Sequence, residues 1–415
     1  MEEILDSTES FMQKNAGWII LVASLGYFVD IYDLLLFSIV RISSLKGIGI
    51  TNLQEVTDKG SFLLNIQMTG TILGGFIWGI LGDKRGRLTV LFGSILLYSL
   101  ANVLNGFIQN IEQYAILRFF AGVGLAGELG AGITLVAETL KKEHRGYGTM
   151  LVATVGILGA VVAHYVADIF NWRIAYFVGG GLGFTLLILR IGVAESKIFT
   201  KNLNSTIRKG NILDLLGKRE SFLKYIHTSL IALPIWFIIG ILVTFGREFG
   251  LAMKVKELVS PGIGISFAYM GGSIGNLISG YMSQRLKSRK KIVGFCIPFA
   301  AITMDIYLFL GHLEIGQYYF LCFVLGLATG YWVLFVTIGA EQFGTNLRAT
   351  AATSLPNIAR GYVIPMLFAF QFLNHTFHHI LWTGAIIGGL TILLAIYGLY
   401  KIQETYDKDL DYLEI

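Results

Sequence analysis

The sequence predicts an all-α polytopic membrane protein, with twelve transmembrane helices in two six-helix bundles related by a pseudo-twofold axis. Three observations predict it. Of 415 residues, 54% are hydrophobic and only 14% charged, where soluble domains carry about a quarter charged residues; mean hydropathy is +0.66. Apolar runs near the ~20 residues that cross a bilayer recur along the whole chain. Motifs of the first half also return in the second: Glu138 and Arg145 reappear as Glu341 and Arg348, both 203 positions on, and the turn at Gly79 is echoed at Gly280, 201 positions on.

The runs cover 17–40, 61–81, 88–108, 112–139, 147–168 and 173–193, then 222–246, 262–283, 292–311, 317–340, 349–372 and 379–400. The first bundle takes 1–194 and the second 221–415. Between them 195–220, with Lys197, Lys201, Arg208, Lys209, Lys218 and Arg219, reads as a polar linker. Of the 32 Lys and Arg, 23 lie on the side of the Gly79 turn, the linker and both termini; seven lie opposite, and Arg118 and Arg360 fall inside runs. That bias places linker and termini in the cytoplasm, as for a bacterial inner-membrane protein. The acidic start, Met-Glu-Glu-Ile-Leu-Asp, argues against a cleavable signal peptide. The 50 glycines suit close helix packing in lipid.

Several functions are excluded. The net charge of +5 resides in short loops and is no nucleic-acid signal, and Cys296 and Cys322 lie in apolar runs without a disulfide framework. No paired nucleophile and base, metal-ligand spacing or phosphate loop is present, so neither an enzyme nor a cofactor is expected. The expected partners are a small-molecule substrate, protons and the lipid bilayer, with the protein a monomer.

The chain is organised around Gly79-Ile-Leu-Gly-Asp83-Lys-Arg-Gly-Arg87, a short connector between the second and third runs. Gly79, Gly82 and Gly86 allow close backbone approach and a sharp turn, and Asp83 supplies an anion suited to a helix N-terminus. An ordinary positive-inside hairpin also accounts for the charges. The copy after Gly280 lacks the aspartate, with Gln284 near its place.

Charges inside the runs mark function, because a lone charge in lipid is costly. Asp30 and Asp33 share one face of the first helix, as proton carriers or as structural ion-pair partners. Arg118 is the expected partner of Asp33, and Glu128, ten residues on, should lie about 15 Å further along the axis. His164 is a proton relay or a hydrogen-bonded structural group, and Trp172-Arg173 an interfacial anchor. In the second half Trp236 and Phe237 line a cavity or pack; Asn276 and Ser279 are read as packing, and Asp305 as structurally paired. Tyr331 and Trp332 interrupt the tenth run beside Gly330. Arg360, in Asn357-Ile-Ala-Arg360-Gly-Tyr-Val-Ile-Pro365, has no neutralising residue in its own run. It either anchors a carboxylate or phosphate or pairs with Asp33 or Glu128. His375, His378 and His379 form an outer loop cluster.

The Gly79–Arg87 pattern resembles the signature loop between helices two and three of major facilitator superfamily transporters. Asp30-x-Tyr-Asp33, Arg118…Gly127-Glu128, Ala137-Glu138…Arg145-Gly, Trp172-Arg173 and Glu195-Ser together resemble that superfamily's metabolite–proton symporters, which include proline/betaine and organic-acid carriers. Asp30-x-Tyr-Asp33-Leu is also similar to phosphate–proton symporters, but those have an Asp and a Tyr-Pro where this chain has Glu128-Leu-Gly. Sugar–proton symporters generally show Gln- and Asn-rich helices five and seven, unlike Leu233-Pro-Ile-Trp-Phe-Ile-Ile-Gly here. The Arg360-Gly…Pro365 stretch is similar to helix eleven of organic-ion and aromatic-acid transporters. The resemblance implies proton-coupled symport of a small anionic or zwitterionic metabolite by alternating access. Asp33, with Asp30, would carry the proton, with Arg118 setting its affinity and Glu128 as a second titratable or substrate-contacting group. Arg360 would anchor the anion, with Asn357, Tyr32, Trp236, Tyr331, Trp332 and His164 as further substrate-binding candidates. Gly79, Asp83, Arg87, Glu138 and Arg145, with Glu341 and Arg348, would form the gate: Asp83 capping a helix of the second half, and Arg87 and Arg145 pairing with Glu138. A drug or siderophore exporter, a sugar or phosphate symporter, and an uncoupled facilitator or sensor are the other readings.

Overall fold

The computed structural model describes residues 16–140, 144–191 and 215–408, all helix and connecting turns without a strand. The chain ends and the linker up to residue 214 lie outside the described residues. The first half contributes α1 (Ala16–Gly47), α2 (Leu53–Arg85), α3 (Arg87–Asn105), α4 (Ile111–Leu125 continued by Glu128–Thr139), α5 (Arg145–Ile157 continued by Gly159–Ile169) and α6 (Trp172–Leu189). The second contributes α7 (Arg219–Leu230, Leu233–Phe237, a π-helical Ile238–Val243 and Gly246–Ala252), α8 (Pro261–Arg285) and α9 (Arg289–Phe309). It ends with α10 (Ile315–Ala328 continued by Trp332–Glu341), α11 (Arg348–Gly361 continued by Val363–Phe377) and α12 (Ile380–Lys401).

Each expected run is therefore a helix. Among the described residues nine are long and apolar enough to cross a membrane, and a tenth is α7, bent by 44° between Leu230 and Leu233. The other two are α8, rich in glycine, and α11, whose first segment carries Thr, Ser, Asn and Arg. Both pack across the halves, α8 against α5 and α11 against α2, and their polar residues Asn276, Ser279, Thr353 and Asn357 are buried, so their polarity faces protein rather than lipid. The outward surface is apolar, with Leu96, Ile116, Phe295, Phe372 and Leu393 all exposed. That is the reverse of a soluble protein and the pattern of a bilayer-embedded one.

The internal repeat extends to the helix breaks. The interruption at Ala126–Gly127 in α4 corresponds to Thr329–Gly330 in α10, again 203 positions on. At the Gly79–Arg87 turn, Gly86 holds φ 99°, a left-handed conformation that separates α2 from α3. A Cβ on Gly79 would lie 2.7 Å from the Thr350 Cα, so only glycine lets α2 approach α11 this closely.

Candidate functional site

The turn face of the molecule is closed by charge. Asp83 caps the N-terminus of α11: Ala349 N–H donates to its Oδ1 (3.0 Å), and Thr350 N–H and Oγ1 donate to its Oδ2 (2.9 and 2.6 Å). A carboxylate here satisfies helix N–H groups that otherwise lack partners and complements the helix dipole. Arg87 donates to Glu138 Oε1 at 2.9 Å, and Arg348 of the opposite half donates to the same oxygen at 3.2 Å. Glu138 therefore bridges the two bundles, while Arg145 donates to the Ala137 carbonyl at 3.1 Å. Glu341 is held by Arg289 at 2.8 and 2.9 Å. Arg289 lies 202 positions after Arg87, so the Arg87–Glu138 pair recurs in the second half. Gln284 sits where a Cβ on Gly146 would be, at the start of α5. It occupies the place equivalent to Asp83 but brings no charge.

The opposite face carries its own bridge. Arg41 of α1 reaches Glu248 of α7 at 3.3 Å, with its guanidinium 4.7 Å from the Phe245 ring centroid. Arg41 is one of the seven cations opposite the Gly79 turn, just past the run 17–40, and nothing local in the sequence points to Glu248.

Between these closures lies a ring of buried charge. Arg360 Nη2 donates to Asp30 Oδ2 at 2.9 Å, joining α11 of the second half to α1 of the first. Its partner is thus Asp30, rather than Asp33 or Glu128. Arg360 Nη1 reaches Asn357 Oδ1 at 3.3 Å, and Asn357 Nδ2 donates to the Ala126 carbonyl of α4 at 2.8 Å. The guanidinium also lies 5.9 Å from the Trp236 ring. Trp332 Nε1 donates to Tyr27 Oη at 2.8 Å, another bridge between halves, and packs edge-to-face on Trp236 at 5.9 Å. Three polar atoms here have no hydrogen-bond partner: Asp30 Oδ1, Arg360 Nε and Trp236 Nε1.

Asp33 and Arg118 are both fully buried inside the first bundle and within electrostatic range of each other. Their polar atoms make no hydrogen bond; Arg118 lies instead over the Phe37 and Tyr176 rings at 5.2 and 6.0 Å. Glu128 is clamped by two nitrogens of Arg190, 1% exposed, which also donates to the Leu91 carbonyl. By sequence Arg190 lies near the end of the sixth run, 173–193, where it reads as a cation leaving the bilayer. Depth was the missed signal: Glu128 lies 17 residues into α4 and Arg190 18 beyond the start of α6, and both helices start from the same face.

Tyr32 donates to the Ala175 carbonyl at 2.9 Å and Tyr331 to the Ile231 carbonyl at 3.1 Å, both inside their own bundles and off the central cavity. His164 is half-buried beside Gly262 of α8, near the far end of α5. Asn276 accepts from Val333 N–H at 3.1 Å and lines the cavity, so it does more than pack. Asp305 is exposed and makes no ion pair. The His375 and His378 rings lie 5.9 Å apart with their planes tilted by 50°, and no group of residues suited to a metal occurs among the described residues.

The central cavity is about 30 Å³, the share of a single water, and is walled by Tyr27, Ile31, Trp236, Tyr269, Asn276 and Trp332. On the far face a vestibule of about 860 Å³ opens between the ends of α2, α7 and α11. Contacts between the halves thus lie on both sides of the central cavity, at the Asp83 turn and at Arg41–Glu248.

The model of the Major Facilitator Superfamily matches residues 19–359. A putative metabolite transport protein from Haemophilus influenzae is 29% identical, over 96% of this chain and 99% of its own. A niacin transporter from Acinetobacter baylyi is 24% identical, over 94% of each. A solved proton:xylose symporter bound to 6-bromo-6-deoxy-D-glucose superposes with a TM-score of 0.75 over 96% of this chain and 98% of that one, at 16% identity. Charged closures, broken helices and a buried charged centre thus sit on a fold and a sequence that agree, and this chain is an integral membrane protein of the major facilitator superfamily, a transporter rather than an enzyme.

Proposed function

We propose that the protein is a proton-coupled symporter that moves a small anionic or zwitterionic metabolite inward by alternating access, with the Asp83 face cytoplasmic. The carrying observation is the Arg360–Asp30 pair, buried between the halves and lined by Trp236, Tyr27 and Trp332. Arg360 is already neutralised by Asp30, so a substrate carboxylate can take its place only by competing for the guanidinium. Protonation of Asp30, the carboxylate that holds Arg360, removes the competing charge, which ties substrate binding to proton binding. The aromatic walls suit a flat carboxylate, and niacin, the cargo named for one relative, has that shape.

Rocking of the halves then exposes the site alternately. Opening toward the cytoplasm breaks the Asp83 cap and the Glu138–Arg348 bridge; opening toward the far face breaks Arg41–Glu248. The test is uptake of radiolabelled nicotinate into proteoliposomes under an imposed pH gradient. Accumulation should require the gradient and be lost in Arg360→Gln; uptake indifferent to the gradient defeats the coupling.

A further inference from the structure

The buried centre holds three carboxylates, Asp30, Asp33 and Glu128, and three guanidiniums, Arg118, Arg190 and Arg360, each at most 1% exposed. The other titratable groups around them are phenols, Tyr27 and Tyr32 of α1, Tyr98 of α3, Tyr114 of α4, Tyr176 of α6 and Tyr269 of α8, a group whose ordinary pKa near 10 adds no charge. Half-buried His164 and exposed Asp305 stand apart from the cluster. Its formal charge is therefore zero, and a neighbouring cavity of about 30 Å³ has room for little water to screen any excess.

An uncompensated charge in such a place is far more costly than a neutral set. A substrate carboxylate reaching Arg360 adds one negative charge, and every guanidinium is already balanced. One proton on a helix-one carboxylate restores neutrality, whichever of Asp30 and Asp33 takes it. Arg360 is also the guanidinium beside the central cavity: Arg190 is clamped by Glu128, and Arg118 lies against Phe37 and Tyr176 within the first bundle. A second carboxylate would find no such partner, and a zwitterion would need no proton.

We infer that the transported unit is one monocarboxylate anion with one proton, so that transport is electroneutral. This rests on the proton-coupled reading above and narrows its substrate to monoanions. The test is nicotinate uptake into proteoliposomes holding the full chain, with the pH gradient and the valinomycin-clamped potassium potential imposed separately and empty liposomes as blank. The pH gradient alone should drive accumulation, and a potential of either sign should change the initial rate less than twofold. In Asp33→Asn the cluster gains one positive charge, so the anion enters unaccompanied; uptake should then lose its response to pH and be driven by an inside-positive potential. Wild-type uptake that follows the potential overturns the charge balance while leaving proton coupling intact. No accumulation under either gradient overturns the proton-coupled reading itself.

Discussion

Asp83→Asn removes a charge while nearly preserving shape at the contact that closes the turn face. Asp83 accepts from two backbone N–H groups and the Thr350 hydroxyl at 2.6–3.0 Å, and it lies 3.8 Å from Arg87. An asparagine keeps one acceptor oxygen and turns an amide donor toward the remaining N–H. Hydrogen bonds to a charged group contribute roughly 1.5–3 kcal/mol each, and an anion at a helix N-terminus adds about 0.3–1 kcal/mol. Losing one such bond and the charge should weaken the closed form by about 2–3 kcal/mol, a shift of roughly 30- to 150-fold toward opening at this face. Hydrogen exchange read by mass spectrometry measures it directly. Peptides spanning 346–356 should exchange faster in the variant, because one of the Ala349 and Thr350 N–H groups loses its acceptor and the weakened cap opens more often, whereas peptides around Arg41 and Glu248 should not. Unchanged exchange over 346–356 would refute the idea that this cap holds the halves together.

Trp236→Phe keeps one aromatic ring but deletes an indole N–H that has no partner in this structure. If that donor is reserved for substrate, nicotinate affinity should fall about 5- to 10-fold, near the ~1 kcal/mol of one hydrogen bond, with Tm lowered only by the packing lost around buried Trp236. Glu128→Gln leaves the Arg190 guanidinium buried opposite a neutral group, so detergent-solubilised protein should lose about 3–5 kcal/mol, read as a lowered Tm; an unaltered Tm would mean the pair is not structural. Glu404, beyond the end of α12, accepts from the Ser288 hydroxyl and from the N–H groups of Arg289 and Lys290 at 3.0 and 3.2 Å, capping α9. Desolvation raises its carboxyl pKa, but the Ser288 hydroxyl and the Tyr406, Arg289 and Lys290 N–H groups outweigh it and hold the group below its ordinary value. Its stabilisation is then complete at neutral pH and lost as pH falls through that lowered value. Glu404→Gln should lower Tm by an amount equivalent to about 1 kcal/mol at neutral pH, with the difference from wild type vanishing in acid.

The spans, the signature turn and the cap by Asp83 were legible because each is local: an apolar run, a glycine-spaced turn, an anion placed to meet a helix end. Arg360 was legible for a related reason, since a cation alone in its run must find a partner elsewhere. The partners themselves were not. Asp30 lies 330 residues from Arg360, Glu128 62 from Arg190 and Arg41 207 from Glu248, and only the packing of helices brings them together. Depth could have supplied part of the answer, since Asp30 sits 14 residues into α1 and Arg360 12 into α11, two helices that start from the same face. Tyr32 and Tyr331 show the converse error. An aromatic beside a break or a carboxylate looks like a cavity wall, but which side of its helix it occupies decides, and both turn into their own bundle.

The most direct measurement is proton movement itself. A pH-sensitive dye inside proteoliposomes, with potassium and valinomycin holding the potential at zero, should report acidification of the lumen when nicotinate is added outside, beyond that of empty liposomes. The same preparation of Asp30→Asn,Asp33→Asn should still exchange labelled nicotinate across the membrane but carry no proton. Labelled substrate entering the wild-type vesicles with no acidification above the blank would contradict the account.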